Sequence, residues 1–373
     1  MDTLDKLRLL SADSQYDLAC SCGSSQHDHR RRGLEGNWLY PVPLAAGGKG
    51  ILFKTLVSNA CGSDCRYCPL RQSGNVPRCS LAPDEIANTF TEQLRRRWMI
   101  GLFLSSGITG TVDQAMARLV ETAEILRRKH GYRGYIHLKI IPGASRAAID
   151  AAMRVASAVS LNIEVPGLRH FARLSRYKDF NRDIVAPLKY IAEQTARGAP
   201  HARLRTSTQF IVGASDETDR EIVRYLDGLY TRLKLDRAYF SAYQGALGDP
   251  ALAGEAAARD GEARLTREHR LYQADFLLRR YQFDAAELVF DASGNFDLQD
   301  DPKLAWARRH PECFPVRIAT ADRHQLLRVP GLGPVAVGRI LKLRRDAPLR
   351  GPESFGLRGR NAARVRPYCD FSP

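Results

Sequence analysis

The sequence predicts an α/β protein: a partial, laterally open (β/α)6 barrel with a small α-helical module at its carboxyl end. From about residue 51, short β-rich runs alternate with longer amphipathic helical runs. The 373 residues suit one barrel-sized domain plus an appendage. Strands separated by helices lie parallel, and right-handed crossovers wind them into one sheet or barrel. Because these units are fewer than a full barrel needs, the barrel should stay open, with a doubly wound sheet as the alternative.

The first strand is predicted at 51–60, and a helix opens at Pro83 among acidic residues before the next strand, 99–107. The helix over 111–131 has apolar residues at spacings of three and four and stops at Gly131 after a basic stretch, as a helix end favours. The later predicted elements are strands 135–141, 159–165, 204–213 and 237–244, a helix from Ser145, a helical region through about Gly198, and helices Thr218 to Lys234 and Thr266 to Tyr281.

Charge and hydropathy restrict the partners and the compartment. The net charge is +15, and residues 301–373 hold 15 Lys and Arg against 6 Asp and Glu, which favours polyanionic partners. The amino terminus lacks the apolar core of a secretory signal, and no apolar run approaches a membrane span, so we expect a cytoplasmic protein without membrane contact. Thiols stay reduced there, so the eight cysteines are better interpreted as ligands, nucleophiles or buried apolar groups than as disulfides.

Three cysteines follow the first predicted strand directly. Cys61, Cys65 and Cys68 form a Cys-x3-Cys-x2-Cys array, and thiolates this close together can bind an iron–sulfur cluster, zinc or Cu(I). Three ligands leave one coordination position open, as catalytic sites do, whereas a zinc site completed by a distant Cys or His is the alternative. Three further cysteines could ligate an auxiliary cluster or fill buried space: Cys20, Cys22 and Cys79.

With the aromatic Tyr67 directly before the third cysteine, this array resembles the motif of the radical S-adenosylmethionine superfamily. The resemblance implies a TIM-like partial barrel and a [4Fe-4S] cluster held by Cys61, Cys65 and Cys68, with S-adenosyl-L-methionine bound at the fourth iron. One electron then cleaves S-adenosylmethionine to methionine and a 5′-deoxyadenosyl radical, which abstracts hydrogen from the substrate. An electron donor such as flavodoxin or ferredoxin is also implied.

Two further segments match the superfamily by position. Residues 105–107 stand where a Gly-Gly-Glu-like turn binds the amino group of S-adenosylmethionine, which implies that backbone carbonyls accept from it here. Residues 209–213, followed by Asp216, resemble the Gly-x-Ile-x-Gly-x-x-Glu element beside the adenine. The cofactor-binding candidates from these segments are Ser105, Ser106, Gly107, Gln209 and Gly213, and Tyr67 of the cysteine motif is a further candidate.

Polar residues within predicted parallel strands give another signal, because such strands normally read as continuous apolar runs. Asn162 and Glu164 share one face of the fourth strand, and they are candidates for binding the ribose hydroxyls of S-adenosylmethionine. His137 and Lys139 share a face of the third strand, where either a satisfied buried pair or substrate contact would explain them.

The segment 167–182, after the fourth strand, is basic. One of its cations could neutralise the carboxylate of S-adenosylmethionine, although a solvated basic helix face is the alternative. Arg173 is the candidate among Arg169, Arg173, Arg176 and Lys178.

Residues 323–345 predict two helices joined by a Pro-Gly-Leu-Gly turn. They resemble the helix-hairpin-helix nucleic-acid-binding motif, with Val337 where a small residue is usual. Gly331 and Gly333 would let the backbone approach a phosphate, and amides that open the second helix would donate to it. A tight turn without a ligand is the alternative. The basic side chains expected to attract the polyanion are Arg339, Lys342, Arg344 and Arg345.

A radical core followed by such a module resembles a family assigned to DNA modification or repair and associated with uracil-DNA-glycosylase-like proteins. The resemblance implies a radical enzyme that modifies or repairs a nucleotide in DNA. RNA modification by the same chemistry, and a non-enzymatic nucleic-acid-binding protein with a structural metal centre, are the alternatives. We expect an amino-terminal extension packed on the core (1–50), the partial barrel (51–290) and the nucleic-acid-binding module (291–373).

Overall fold

The computed structural model describes residues 1–18, 28, 30, 33–44, 47–257 and 261–372. The chain divides into two compact units, one of Met1–Glu217 with Gly228–Glu268 and the other of Thr218–Asp227 with His269–Pro373. Its elements up to residue 280 are α1 (Thr3–Asp13), β1 (Leu39–Pro43), β2 (Lys49–Leu56), α2 (Pro83–Arg96), β3 (Gly101–Ser105), α3 (Val112–Arg128), β4 (Tyr135–Lys139), α4 (Arg146–Val155), β5 (Ala158–Ser160), α5 (Leu168–Leu174), α6 (Ala186–Thr195), β6 (Arg205–Val212), α7 (Asp219–Thr231), β7 (Arg237–Ala242), α8 (Ala253–Ala257) and α9 (Gly261–Arg280).

One sheet of seven strands, in the order β1 to β7, forms the centre of the first unit. Strands β2 to β7 pair in parallel, which confirms the predicted parallel arrangement. The consecutive order lacks the reversal that defines a doubly wound sheet. Within the described residues β1 and β7 do not pair, so the sheet is an open partial barrel.

Strand β1 pairs antiparallel with β2 and was not predicted. Its segment, LYPVP, contains Pro41 and Pro43, and proline cannot donate a ladder hydrogen bond. Prolines are tolerated at the edge of a sheet, which is where β1 lies. The two prolines argued against a strand in the sequence, although they are compatible with an edge strand such as β1.

Helix α1 is docked beside the start of α2 through one carboxylate. Glu85 accepts from the backbone N of Ala82 at 2.7 Å, which satisfies an amide before the first turn of α2. Thr3 Oγ1 donates to the same Glu85 at 2.8 Å, and Lys6 Nζ lies 3.2 Å from it. The side chain of Leu10 is fully buried, so α1 forms part of the first unit's core.

The fourth parallel strand is shorter than predicted. It was expected over 159–165, but β5 ends at Ser160. Beyond it Glu164 adopts a left-handed backbone conformation, with φ 65°. The backbone N of Glu164 donates to the carbonyl of Gln209 at 3.0 Å, and its carbonyl accepts from Ile211 N at 2.7 Å. Bonds to β6 therefore hold this strained residue in place.

In the second unit, a compact apolar core joins short elements. The turn between α11 and α12 runs from Val329 to Gly333, and Gly331 within it has φ 88°. No helix within the described residues is both long enough and apolar enough to span a membrane. The elements after α9 are α10 (Pro302–Arg309), β8 (Val316–Arg317), α11 (Arg323–Arg328), α12 (Pro334–Leu343), α13 (Gly359–Val365) and β9 (Cys369–Asp370).

Lys303 is a buried lysine in the second unit. Its Nζ donates to the carbonyl of Leu332 at 2.5 Å and lies 4.7 Å from the ring centre of Tyr281. Burial and, after it, the charge of Arg328 lower the pKa of Lys303, Cys369 opposes them, and together these effects bring the pKa to about 7. Between this value and the ordinary lysine pKa, the unfolded chain binds more protons than the folded chain, so stability increases with pH.

We therefore expect the free energy of unfolding of the second unit to rise between pH 7 and pH 9, by at most about 1.4 kcal/mol per pH unit. Lys303→Met should remove this dependence, because no ammonium group then has to lose its proton on burial. Urea unfolding followed by Trp306 fluorescence, with Trp38 and Trp98 replaced by Phe in both proteins, measures the difference. Equal pH slopes in the two proteins would contradict the burial argument.

Candidate functional site

The candidate site lies at the carboxyl ends of the parallel strands, where α/β folds place ligands. One cavity is lined by residues that follow successive strands of the sheet. All three cysteines of the array line it, together with Lys178. The sequence-predicted cofactor residues that also line it are Tyr67, Ser105, Ser106, Gly107, Asn162, Glu164 and Gln209.

The loop that carries the cysteines is organised by Arg78. Its guanidinium donates to the carbonyls of Asn59 at 2.5 Å and Leu70 at 2.9 Å. It also donates to the carbonyls of Arg71 and Gly74, both at 2.9 Å. One side chain thereby ties together a loop that has no regular secondary structure. The sequence offered no signal for this role, because an isolated arginine usually lies on a solvated surface.

Two of the thiols have a hydrogen-bond donor beside them. The backbone N of Ile108 donates to Cys61 Sγ at 3.4 Å, and Lys178 Nζ lies 3.0 Å from Cys65 Sγ. Burial, and then the nearby Cys65, raise the pKa of the Cys68 thiol. Three thiolates here need a cationic centre, because metal binding is what makes buried thiols release their protons. The donor set therefore fits an iron–sulfur centre, whose sulfur ligands commonly accept such hydrogen bonds.

A single metal ion needs several ligand side chains around one point. Among the described residues, no group of three or more His, Cys, Asp or Glu side chains is arranged to hold a metal ion. A zinc site requires ligand atoms about 2.0–2.3 Å from one centre, whereas each thiolate of a four-iron cluster binds a different iron. Because Cys20 and Cys22 lie outside the described residues, the zinc site completed by a distant Cys or His stays a prediction, as the iron–sulfur cluster does.

The auxiliary cluster stays a prediction. Cys20 and Cys22 lie outside the described residues. Cys79 does not line the cavity, and its Sγ lies 3.8 Å from the carbonyl of Lys6. The six described cysteines are all free thiols.

Gly107 fits tightly against the cysteine loop. A Cβ atom at this position would lie 2.4 Å from the carbonyl oxygen of Ala60 and 3.1 Å from Cys61 Cβ. The backbone N of Gly107 also donates to the carbonyl of Ser58 at 2.7 Å, so the glycine cannot withdraw without losing a hydrogen bond. The glycine is required because two backbone segments approach each other here.

Gly107→Ala should displace the Cys61 loop, lower the free energy of unfolding by about 1–3 kcal/mol and reduce the iron retained after reconstitution. Gly62→Ala is the matched control, because a Cβ there would meet only the carbonyl of Ile108, at 3.7 Å. Iron content and thermal unfolding of the two variants give the comparison. An unchanged Gly107→Ala protein would show that the loop yields without cost.

Tyr67, Asn162 and Glu164 form one hydrogen-bonded group in the cavity. Tyr67 Oη donates to Glu164 Oε1 at 2.8 Å, and Asn162 Nδ2 donates to the other carboxylate oxygen at 3.4 Å. Burial raises the pKa of Glu164, and burial together with Glu164 raises that of Tyr67. The left-handed backbone of Glu164 brings this acceptor to the cavity beside the cysteine loop. Such a carboxylate suits a pair of ligand hydroxyls.

The amino-terminal segment reaches the cavity and contacts two residues that the sequence analysis singled out. Gln209 Nε2 donates to the carbonyl of Tyr16 at 3.0 Å, and its Oε1 accepts from Leu18 N at 2.9 Å. Lys139 forms an ion pair with Asp17. Although burial opposes the ionisation of Asp17, Lys139 lowers the pKa of that carboxyl. Sequence reasoning missed Tyr16 and Asp17, because nothing local shows that this segment returns to the sheet.

His137 and Lys139 do not form the buried pair that was one of the two explanations for them. His137 Nε2 lies 2.8 Å from Ser160 Oγ, and its Nδ1 lies 3.2 Å from Tyr135 Oη. Burial, and next Lys139, lower the pKa of His137 to about 3, so the imidazole is neutral. Lys139 lines the cavity, whereas the hydrogen bonds of His137 are made within the sheet.

The basic segment after β5 contributes Lys178 to the cavity. Arg173, the sequence candidate, does not line it. The Nη1 atom of Arg173 lies 2.5 Å from Asp216, and both side chains are nearly half exposed. Asp216 therefore belongs to a partly exposed ion pair and does not line the cavity, and its place beside the adenine stays a prediction.

The neighbouring Glu217 is the buried carboxylate at the end of β6. It accepts from the backbone N of Gly213 at 2.5 Å and of Ser215 at 3.1 Å. Gly213 has φ 85° and does not line the cavity. Burial raises the pKa of Glu217, although Arg267 opposes this. The Glu217 carboxylate therefore stabilises the turn that starts at Gly213 by accepting from two of its backbone amides.

The turn between α11 and α12 bears the predicted nucleic-acid-binding residues in the second unit. Gly331 is exposed, and Gly333 is the residue before the first turn of α12. Arg344 differs from the other basic candidates, because its Nη1 donates to the carbonyls of Ile318 at 3.0 Å and Ala321 at 2.6 Å. The candidates with exposed side chains are Arg339, Lys342 and Arg345.

No family model matches the chain, and no curated protein sequence matches it. Among solved structures, the FeFe-hydrogenase maturase HydG from Carboxydothermus hydrogenoformans is 14% identical, with 60% of this chain and 51% of that chain covered and a TM-score of 0.47. A second HydG structure, a maturase of the [FeFe]-hydrogenase, is also 14% identical, with 60% of this chain and 50% of that chain covered and a TM-score of 0.44. Methylornithine synthase (PylB) is 15% identical, with 60% of this chain and 62% of that chain covered and a TM-score of 0.46. The chain thus spans about half the length of the first two structures.

Proposed function

We propose that this protein is a radical S-adenosylmethionine enzyme that modifies or repairs a nucleotide in DNA. In this proposal Cys61, Cys65 and Cys68 hold a [4Fe-4S] cluster, and S-adenosylmethionine binds in the cavity beside it. When bound, the pair supplies a 5′-deoxyadenosyl radical by reductive cleavage of S-adenosylmethionine. The observation that carries the proposal is that three thiols of one loop share a cavity with a buried carboxylate and a cation, at the carboxyl ends of parallel strands.

In this proposal, different side chains of the cavity bind different polar groups of S-adenosylmethionine. Glu164 and Asn162 offer an acceptor and an amide for the ribose hydroxyls. Lys178 lies beside Cys65 and can offset negative charge from the thiolates and from a ligand carboxylate. Tyr67 holds the Glu164 carboxylate toward the cysteine loop. Apolar side chains, among them Leu247 and Ile141, line the same cavity, and apolar walls limit the access of water to a radical.

Support for a nucleic-acid substrate comes from the second unit. Its residues 301–373 carry 15 Lys and Arg against 6 Asp and Glu, and Gly331, the exposed residue of its glycine turn, is followed by exposed cations after the start of α12. Phosphate contacts of this kind position a backbone without reading sequence. The selectivity for a target nucleotide would therefore come from the cavity, and a target within a duplex would have to leave the base stack.

Anaerobic reconstitution with iron and sulfide, followed by reduction with S-adenosylmethionine present, tests the proposal. We expect 5′-deoxyadenosine to form without any substrate and to form faster with DNA than with matched RNA. A reconstituted protein that forms none would overturn the enzymatic proposal. Stimulation by RNA alone would instead favour the RNA-modifying alternative.

A further inference from the structure

The first unit has another cavity, between the segment after α1 and strands β1 and β2, which we call the Lys54 cavity. Gln15 lines it from the segment after α1, Tyr40 from β1 and Lys54 from β2. Arg30 lines both this cavity and the one that contains the cysteines, so the two cavities are neighbours. Among the described residues that line the Lys54 cavity, none is a candidate from the sequence analysis.

Lys54 places a buried ammonium group at this cavity. The residue is 1% exposed. Its Nζ lies 4.8 Å from the ring centre of Tyr40 and 6.0 Å from that of Phe103. Within the described part of the chain, this Nζ forms no hydrogen bond and no ion pair. A buried charge without such a partner is unfavourable, which indicates that a ligand atom belongs beside it.

Within the described residues, the charges near this ammonium group pair with each other and leave it without a counterion. Lys139 is paired with Asp17, and Arg30 is paired with Asp28 at 2.8 Å. No described Asp or Glu lines the Lys54 cavity. The undescribed residues before position 33 contain no Asp or Glu either. An anion from outside the chain would therefore supply the missing charge.

Two uncharged donors line the same cavity. The side-chain amides of Gln15 and Asn37 form no hydrogen bonds within the described residues. Asn37 is exposed, so the cavity reaches solvent on that side. One ammonium group with two amides matches a carboxylate, which carries one negative charge and accepts at two oxygens.

Other anions match this cavity less well. A phosphate monoester carries about −1.5 to −2 charges at pH 7, more than the ammonium group of Lys54 balances. A phosphodiester carries one charge, but the backbone of a nucleic acid cannot reach a side chain that is only 1% exposed. The cavity therefore favours a small carboxylate.

We propose that the Lys54 cavity binds the carboxylate of a small molecule, with Lys54 as its counterion and Gln15 and Asn37 as further donors. The inference goes beyond the proposed function and does not depend on it, because no described cysteine lines this cavity. Since Arg30 lines both cavities, such a ligand would lie beside the space proposed for S-adenosylmethionine.

Binding of the carboxylate should be linked to protonation of Lys54. Burial lowers the pKa of Lys54, Asp17 opposes this and Lys139 adds to it, and together these effects bring the pKa to about 7. Asp17 stays ionised near neutral pH, because its own pKa is lowered. The other groups that face Lys54 are the ring of Tyr40 and the paired Arg30.

An anion binds the charged form of Lys54, so its affinity is complete below the pKa and is lost as the pH rises above it. From pH 6 to pH 8 the charged fraction falls about tenfold, and the apparent Kd should rise by the same factor.

Isothermal titration of the full-length protein with sodium acetate, at pH 6 and pH 8 and at constant ionic strength, tests the inference. Acetamide is the uncharged analogue of similar shape, and inorganic phosphate is the competing anion. Titration in two buffers that differ in ionisation enthalpy measures the protons taken up on binding. Lys54→Met removes the charge, and Gln15→Ala removes one uncharged donor. Lys49→Met is the matched control, because Lys49 is an exposed lysine of the same strand.

We expect the wild type and Lys49→Met to bind acetate with a millimolar Kd at pH 6, and not to bind acetamide. At pH 8 the Kd should be about tenfold higher, with about 0.9 proton taken up per acetate bound. Lys54→Met should bind acetate at least about tenfold more weakly at pH 6 and take up no proton. Gln15→Ala should bind it about twofold to tenfold more weakly, as expected for one lost hydrogen bond.

Three outcomes would overturn the inference: no binding of acetate by the wild type, equal binding by Lys54→Met and Lys49→Met, or tighter binding of phosphate than of acetate. If Lys54→Met does not fold, the proton uptake of the wild type and the Gln15→Ala result still decide. Formation of 5′-deoxyadenosine is measured separately, so a failure of the proposed function and a failure of this inference are distinguishable.

Discussion

Replacing Cys61, Cys65 and Cys68 together by alanine should abolish iron–sulfur binding and all formation of 5′-deoxyadenosine. The three thiols are the only cysteine side chains that line the cavity among the described residues. Removing them leaves no soft ligand there, and a [4Fe-4S] cluster depends on thiolate donors. The stability cost should be small, because Arg78 still ties the loop together.

Iron and sulfide analysis, visible absorption and 5′-deoxyadenosine assay measure this loss, and circular dichroism checks that the fold remains. Cys313→Ala is the matched control, because Cys313 is exposed in the second unit. A triple variant that keeps about four irons per chain would show that the cluster lies elsewhere. In that case the segment with Cys20 and Cys22 would be the next place to examine.

Replacing Lys178 by glutamine should lower the reduction potential of the reconstituted cluster by about 60–130 mV. Burial opposes the charge of Lys178, but Cys65 outweighs it and raises the pKa of the ammonium group. A cation at 3.0 Å from Cys65 Sγ stabilises the reduced and more negative state of a cluster bound there. The range follows from about 1.5–3 kcal/mol for a charge-assisted hydrogen bond and about 59 mV per tenfold change for one electron.

Anaerobic potentiometry with electron paramagnetic resonance detection measures this shift without any turnover. Lys178→Arg should restore most of the potential, because it keeps a charged donor near the sulfur. Arg176→Gln, an exposed neighbour, is the matched control. If Lys178→Gln left the potential unchanged, Lys178 would have no electrostatic role at the sulfur, and its contact with Cys65 would be steric only.

Local sequence patterns predicted the parts of the fold that depend on neighbours along the chain. The alternation of strand and helix runs led to the parallel strands β2 to β7, because a helix between two strands prevents a hairpin. The alternation failed where other interactions outweighed it. Strand β5 stops at Ser160, since hydrogen bonds to β6 hold Glu164 in a left-handed conformation that no apolar pattern indicates.

The candidate site was predictable in so far as its residues are adjacent in sequence. The three cysteines lie on one loop, and the covalent spacing brings their thiols to one cavity. The choice between Arg173 and Lys178 was not predictable, because both follow the same strand. It depends on Asp216, which pairs with Arg173 at the surface. Arg173 and Asp216, like Lys178 and Cys65, are tens of positions apart in the sequence, so no local pattern indicates that they interact.

The sequence by itself determined that three thiols share one loop, that the strands run parallel and that the carboxyl end is basic, since these follow from residue type and local spacing. The tertiary structure alone decided that Tyr16 and Asp17 reach the cavity and that Lys178 is the cation beside the thiols. Those contacts join segments far apart in the chain. They form only because the packed core brings these distant segments together, and the local periodicity of the sequence does not depend on that packing.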